Sequence, residues 1–459
     1  MPVEIQTKMK RIYHITLSLV FCQAVMAQQT SLTVADCMRY AVEHNHDIRI
    51  SQLTQDSRRA EHTEAIGAFL PAISGNIGAQ YNFGRAIDPE TNTYTNVSTF
   101  YNGYSLSASL PVFDGFQRLN HLRAAKASIL MGNSQIQAQR DELALKVYEA
   151  YCNVLYFQGT VQMTREKRNQ SQMTLRQTQV MCEVGQKSEA DVAQMEAQLA
   201  ADEYEITRQE NELKTAMLTL RQLMGMETLP KEGSDDLQEE DFKLMPIDDI
   251  MNREATVVST SLPTGRDKRE SLLPSLQAAE LNVNVARHQL NVAKGALSPS
   301  LSINGGVSTS FNKMLHAEAT PFRDQLKNNK GEYVYASVSI PLFNRMQTLT
   351  NIRRQRNNLR IAEEQLAQKR EELTKLQLQA AYDCEGYRKQ TLQMEEKVEA
   401  DSLASQLTTR QYEEGLASSI DVQTTSATLL KSRAQLLQCR LMWALKQKLV
   451  NYYQGIPLL

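Results

Sequence analysis

Along four long stretches of the chain, apolar residues return at every seventh position. Ile129, Ile136, Leu143, Ala150 and Phe157 keep this step, and Leu359, Leu366, Leu373, Ala380 and Tyr387 keep it again later. Val192, Leu199, Ile206, Leu213 and Leu220 form a third series, and Val422, Leu429, Leu436, Trp443 and Val450 a fourth. Five positions in register over four heptad steps predict coiled-coil seams rather than ordinary amphipathic helices. Elsewhere the period drops to two. Residues 73–83 and 104–110 alternate apolar with small or polar side chains, as do 301–307 and 333–340. Such segments, aromatic at their ends and joined by polar loops, predict strands of an outer-membrane type of barrel.

These patterns belong to two copies of one unit. Pro111-Val112-Phe113-Asp114 recurs as Pro341-Leu342-Phe343-Asn344, an offset of 230 residues. Gly185, Asp191 and Gly225 recur at the same offset as Gly415, Asp421 and Gly455. Gly67 and Pro71 recur as Gly295 and Pro299, two residues short of it, and a length change confined to one segment marks a surface loop. Each copy supplies one strand pair, so the chain has four strands, whereas about eight are the fewest that close a membrane barrel. A barrel built from this chain must be shared between chains, and three chains would supply twelve strands. Pro111 to Gly185 is about 111 Å if wholly helical; the return to Gly225 and the segment Thr33–Gly67 are about 60 and 51 Å, nearly matching it end to end. Thr33 with Asp36 makes an N-terminal cap for that last helix.

Composition agrees with long helices. Gly (19) and Pro (12) make up about 7% of 459 residues, against a usual figure near 12%. The mean hydropathy of −0.43 excludes a bundle of membrane helices. A net charge of −2 lacks the basic excess of a nucleic-acid binder. Lys8, Lys10 and Arg11 precede the apolar run Ile12–Val25 and a small-residue site at Ala27, which predicts a cleaved export leader over residues 1–27. Two repeats then follow at 28–225 and 270–459. The linker between them, 226–269, is irregular and acidic, with nine Asp or Glu and two Lys from Glu227 to Asp249. The remaining cysteines (Cys37, Cys152, Cys182, Cys384, Cys439) are odd in number and widely spaced, which argues for small buried side chains rather than disulfides or metal. His44 and His46 have a poor spacing for one helical face. No phosphate loop, H-E-x-x-H or G-x-S-x-G occurs, so the reading is of a non-enzyme without cofactor or metal.

The opening Ser31–Ala41, the phrase Leu110-Pro111-Val112-Phe113-Asp114-Gly115 with its copy Ile340–Asn344, and the closing Tyr412–Val422 resemble the TolC-type outer-membrane factor (outer membrane efflux protein) family over nearly the whole chain. The resemblance implies a mainly α protein with a small membrane β part. It would be a homotrimer whose twelve-stranded outer-membrane barrel continues as an α-helical coiled-coil barrel through the periplasm. Its implied function is an exit duct for a tripartite efflux or type I secretion system, partnered by a periplasmic adaptor and, through it, an inner-membrane pump. An exported coiled-coil rod explains the heptads but neither the strand pairs nor the duplication. A periplasmic adaptor would need lipoyl-like and small barrel segments flanking a single hairpin.

Glycine permits the left-handed backbone of a sharp helical reversal, so Gly185 and Gly415 are expected at hairpin tips. By resemblance, Val184, Gly185, Gly415 and Leu416 would dock the adaptor. Asp191 and Asp421, six residues beyond each tip, would repeat around a trimer as carboxylate rings favouring cations; the bland reading of either is a helix cap. In the family an Asp at position 191 is tied to a Tyr, matched by Tyr412, and to an Arg, replaced here by Ala417. A further family acid is replaced by Thr424. Lys187 is a substitute cation of undetermined partner.

Overall fold

The computed structural model describes residues 32–87, 92–96, 98–226, 273–314 and 320–458. The expected leader and most of the acidic linker lie outside the described residues. The element order is α1 (Val34–His44), α2 (His46–Gly67), β1 (Ala72–Asn82), β2 (Arg85–Ile87), β3 (Tyr94–Asn96), β4 (Thr99–Phe113), α3 (Gln117–Glu183) and α4 (Glu189–Met224). The second repeat gives α5 (Pro274–Gly295), β5 (Ser300–Met314), α6 (Phe322–Asn328), β6 (Gly331–Ser339), α7 (Gln347–Glu413) and α8 (Ser419–Tyr453). The two long helices have equal lengths of 67 residues, about 100 Å each. Among the described residues no helix is long and apolar enough to cross a membrane. Of the twenty heptad positions read from the sequence, none is exposed.

Three details depart from the sequence reading. The helix expected from Thr33 to Gly67 is broken at Asn45, whose backbone is extended. Its amide donates to the Leu223 carbonyl (2.9 Å) and its side-chain oxygen accepts from the Asp47 backbone (2.8 Å), so a tertiary bond competes with helix continuation. β4 and β5 run to fifteen residues each, beyond the alternating segments that announced them. The short β2–β3 hairpin and the helix α6 had no periodic signal at all.

The chain divides into two compact units, each drawing on both repeats. The first comprises α1, α4, α8 and the later parts of α3 and α7. Its core packs Cys37, Met38 and Ala41 with Val147, Tyr148, Tyr151 and Val154 of α3 and Leu213, Leu220 and Met224 of α4. Burial pushes the Cys37 thiol up to about 12, leaving it an inert apolar side chain. Cys152 is buried too, whereas Cys182, Cys384 and Cys439 are half-buried, and none of the five forms a disulfide among the described residues.

The second unit comprises α2, α5, the strands and the early parts of α3 and α7. Its sheet is antiparallel with order β1-β4-β5-β6, so the two repeats join through β4 and β5. Strand alternation sorts the sheet into two faces. On one, Ile73, Ile77 and Tyr81 stand opposite Ala108, Tyr104 and Phe100, Leu106 opposite Val307, and Leu301 opposite Val338. That face is apolar except for Glu332, opposite Val307, and Lys313, opposite Phe100. It is largely open, with Ile77 77% and Val334 81% exposed; α6 covers part of it through Phe322 against Tyr104 and Phe311. On the other, Asn76 faces Ser105, Ser302 faces Ser337 and Asn304 faces Tyr335, while Ser74 and Ser107 share a 2.9 Å hydrogen bond. No charged side chain stands on this polar face. β1 and β6 each pair on one side only, so the sheet ends in two open edges.

Each repeat leaves its second strand through a left-handed pair, Gly115 and Phe116 in the first copy and Arg345 and Met346 in the second. Asp114 then accepts from the Arg118 backbone (3.0 Å) and Asn344 from that of Thr348 (3.3 Å), capping α3 and α7. The duplicated Pro-x-Phe-Asp/Asn phrase is thus a strand-to-helix joint. Gly115 is required by close approach as well, since a Cβ there would lie 2.4 Å from the Gly295 carbonyl oxygen.

Candidate functional site: the paired hairpin tips

Both long helices end in the same reversal. Gly185 and Gly415 have φ of +77° and +78°. Each receives the hydrogen bonds of a Schellman motif: Gln186 to Met181 (2.8 Å) with Gly185 to Cys182 (3.0 Å), and Leu416 to Gln411 (2.7 Å) with Gly415 to Tyr412 (3.0 Å). Three residues later the next helix starts from a serine. Ser188 and Asp191 form a reciprocal capping box, the hydroxyl donating to the carboxylate (2.8 Å) and accepting from the Asp191 backbone (3.2 Å). Ser418 and Asp421 do the same at 2.6 and 3.3 Å. Both carboxylates therefore serve as helix caps within the chain. The bond from the Ser188 backbone holds the Asp191 carboxyl below the usual range, helped by its hydroxyl and by Lys187. The Ser418 hydroxyl does so for Asp421. The signal for these serines was a plain S-x-x-D at each tip, not used in reading the sequence.

Tyr412 is 1% exposed. Its hydroxyl lies 2.5 Å from Thr178 Oγ1, which itself donates to the Thr174 carbonyl at 2.8 Å. The Thr178 proton is thereby used, so Tyr412 is the donor. The tyrosine expected to reach Asp191 by resemblance reaches Thr178 instead, a residue with no sequence signal of its own. Lys187 completes the join: its ammonium sits 4.6 Å from the Tyr412 ring centroid and 3.5 Å from the Ala417 carbonyl oxygen. A cation from the first repeat thus lies beside Ala417 of the second, with a backbone carbonyl and a ring face as partners. Ser419 donates to Gln194 (3.2 Å) and Gln177 reaches Glu413 (3.5 Å), adding to the side-chain contacts that tie the first tip to the second. Asp421 stands outside this group; Ser418 alone bonds its carboxylate among the described residues.

The outermost residues are free of packing. Val184 and Leu416 are 66% and 77% exposed, and a Cβ on Gly185 or Gly415 would meet nothing within 4 Å. No group of His, Cys, Asp or Glu that could hold a metal occurs among the described residues.

A model of the outer membrane efflux protein family matches residues 38–226 and 270–449. The outer membrane protein TolC of Vibrio cholerae is 24% identical over 317 residues, 68% of this chain and 65% of that protein. The toluene efflux pump outer membrane protein TtgF of Pseudomonas putida is 24% identical over 278 residues, 60% of this chain and 53% of that protein. The chain thus spans less than two thirds of these relatives' own length. Among solved structures, CusC, described with transmembrane channel formation, superposes with a TM-score of 0.76 at 17% identity, covering 93% of this chain and 92% of that one.

Proposed function

This chain belongs to the outer membrane efflux protein family, and from that premise we propose that it is one third of a trimeric exit duct. In this reading the duct conducts substrates passively from an inner-membrane pump across the periplasm and outer membrane. The observation that carries it is the sheet: four strands, one largely exposed and mainly apolar face, one uncharged polar face and two open edges. An isolated sheet of this kind would leave its apolar face and edge groups in water. Copies joined edge to edge, with the apolar face toward lipid and the serine-rich face toward a lumen, satisfy both at once. An exported rod has no use for such a sheet.

The paired tips fit the periplasmic entrance of the duct. Tyr412, Thr178 and Lys187 would hold it shut, Asp191 and Asp421 would bias it toward cations, and Val184, Gly185, Gly415 and Leu416 would dock a periplasmic adaptor. Chemistry plays no part in this reading. Native mass measurement of the detergent-extracted protein, followed by planar-bilayer recording, tests it. The expected result is a trimer that forms discrete conducting channels, and stable monomers without conductance would overturn it.

A further inference from the structure

The helical segments that adjoin the sheet carry an unusual charge pattern. α3 from Gln117 to Ala138, α5 from Leu281 to Gly295 and α7 from Gln347 to Ala362 contain no Asp or Glu at all. At the chain's average acid content, 52 in 459, these stretches would hold about six. Arg123, Lys126, Lys294, Arg345, Arg353 and Arg354 lie in or beside them, all exposed. None of the six has an acidic partner among the described residues, and Arg354 donates only to Asn351 (2.8 Å). Nearby acids are few: Asp114 is paired with Arg118 (3.0 Å) and Asp56 with Arg59 (2.9 Å), while Glu61 and Glu64 on α2 form no ion pair among the described residues. His288 reports the positive surroundings, its imidazole held below the usual range by burial and by Arg123 and Arg287.

Their distance from the sheet decides what they meet. Exposed Phe116, Leu342 and Phe343, at 60%, 91% and 78%, mark the end of the apolar face in both repeats. Headgroups occupy about 5–8 Å beyond the hydrocarbon, and charge is felt about 8 Å further at physiological salt. A helix rises at most about 1.5 Å per residue, so Arg123, Arg353 and Arg354 stand within about 11 Å of their helix starts and Lys126 within about 14 Å. Arg345 precedes α7 and Lys294 ends α5.

Resting on the outer-membrane reading above, we propose that this basic band binds anionic phospholipid headgroups of the periplasm-facing leaflet. The shape of the lysine and arginine set fits a lipid phosphate: long side chains anchored beside an apolar belt, reaching into a zone where fixed negative charge lies parallel to the membrane.

The test uses the full-length protein in vesicles of phosphatidylethanolamine alone or of phosphatidylethanolamine with phosphatidylglycerol. Lipid retained on the native particle is read by mass spectrometry. We expect phosphatidylglycerol to be retained on the order of tenfold above its share, and the preference to collapse at high salt. R123Q/K126Q/R345Q/R353Q/R354Q should lose it while conducting normally. Retention in proportion to vesicle composition would overturn the inference alone. So would a variant with unchanged lipid but altered anion conductance, which would put the band in the lumen, or one that loses its oligomer, which would make it a contact between copies. Absence of conductance from both vesicle types would overturn the duct reading and this inference with it.

Discussion

In the proposed duct, the closed state would rest in part on the Tyr412 hydroxyl. It is the donor to Thr178, a buried acceptor whose own proton is committed to Thr174. Removing that donor in Tyr412→Phe forfeits one hydrogen bond, about 1 kcal/mol, and leaves the ring beneath Lys187. We expect Tyr412→Phe to raise single-channel conductance or the leak of normally excluded antibiotics, and Thr178→Val to do the same. Unchanged conductance in both variants would remove this bond from the gate. The capping carboxylates set a second residue-scale expectation. Asp191 and Asp421 both titrate below their ordinary value in the folded chain. Their stabilising contribution is therefore complete above the unfolded pKa of about 3.9 and lost as pH falls through the lower folded values. Amide exchange at the tips should be flat from neutral pH to about 5, after correction for the intrinsic rate, and quicken only below about 4. Asp191→Asn/Asp421→Asn keeps a side-chain acceptor at each cap. A fall in cation selectivity there, without loss of hairpin order, would separate the pore role from the capping role; unchanged selectivity would leave capping as the whole story.

At the scale of elements, the hairpin and the strand pair were legible to different depths. A heptad step states a helix and its buried seam together, so α3, α4, α7 and α8 could be read from side chains alone. Glycine at each reversal was legible because φ near +78° penalises every residue with a Cβ. The break at Asn45 was not, since it depends on the Leu223 carbonyl 178 residues away. Thr178 was hidden for the same reason: nothing local says that a tyrosine from the other repeat ends beside it. The tip glycines allow a clean comparison, because Gly415 has open space around it. Gly415→Ala adds only the backbone strain of a positive φ, of order 1 kcal/mol, while Gly415→Asp adds a charge to the exposed surface as well. If the tip docks an adaptor, the Asp variant should lose efflux while its oligomer persists, and the Ala variant should keep most of it. Equal tolerance of both would reduce the glycine to a turn.

For the whole molecule the deciding relation is that between faces of the sheet, and the sequence carried it only in part. Alternation along each strand was visible, but which strands are neighbours, and hence that apolar positions of all four share one face, required the register from β1 through β6. That register makes adjacent residues opposite in character. Ile77, at the middle of β1, stands on the apolar face opposite Tyr104, and Asn76, one residue earlier, stands on the polar face opposite Ser105. In a shared barrel, lysine at position 77 would sit in the lipid midplane, where a cation costs about 2–4 kcal/mol in each of three copies. Lysine at position 76 would sit in water inside the lumen and cost little. Ile77→Lys should therefore reduce the yield of assembled oligomer in the outer membrane, read by unheated electrophoresis and native mass. Asn76→Lys should assemble normally and shift the channel toward anions, because the polar face has no charge of its own to oppose it. The reverse outcome, with position 77 tolerant and position 76 intolerant, would turn the sheet inside out and overturn the duct; equal tolerance at both would mean that neither face meets lipid.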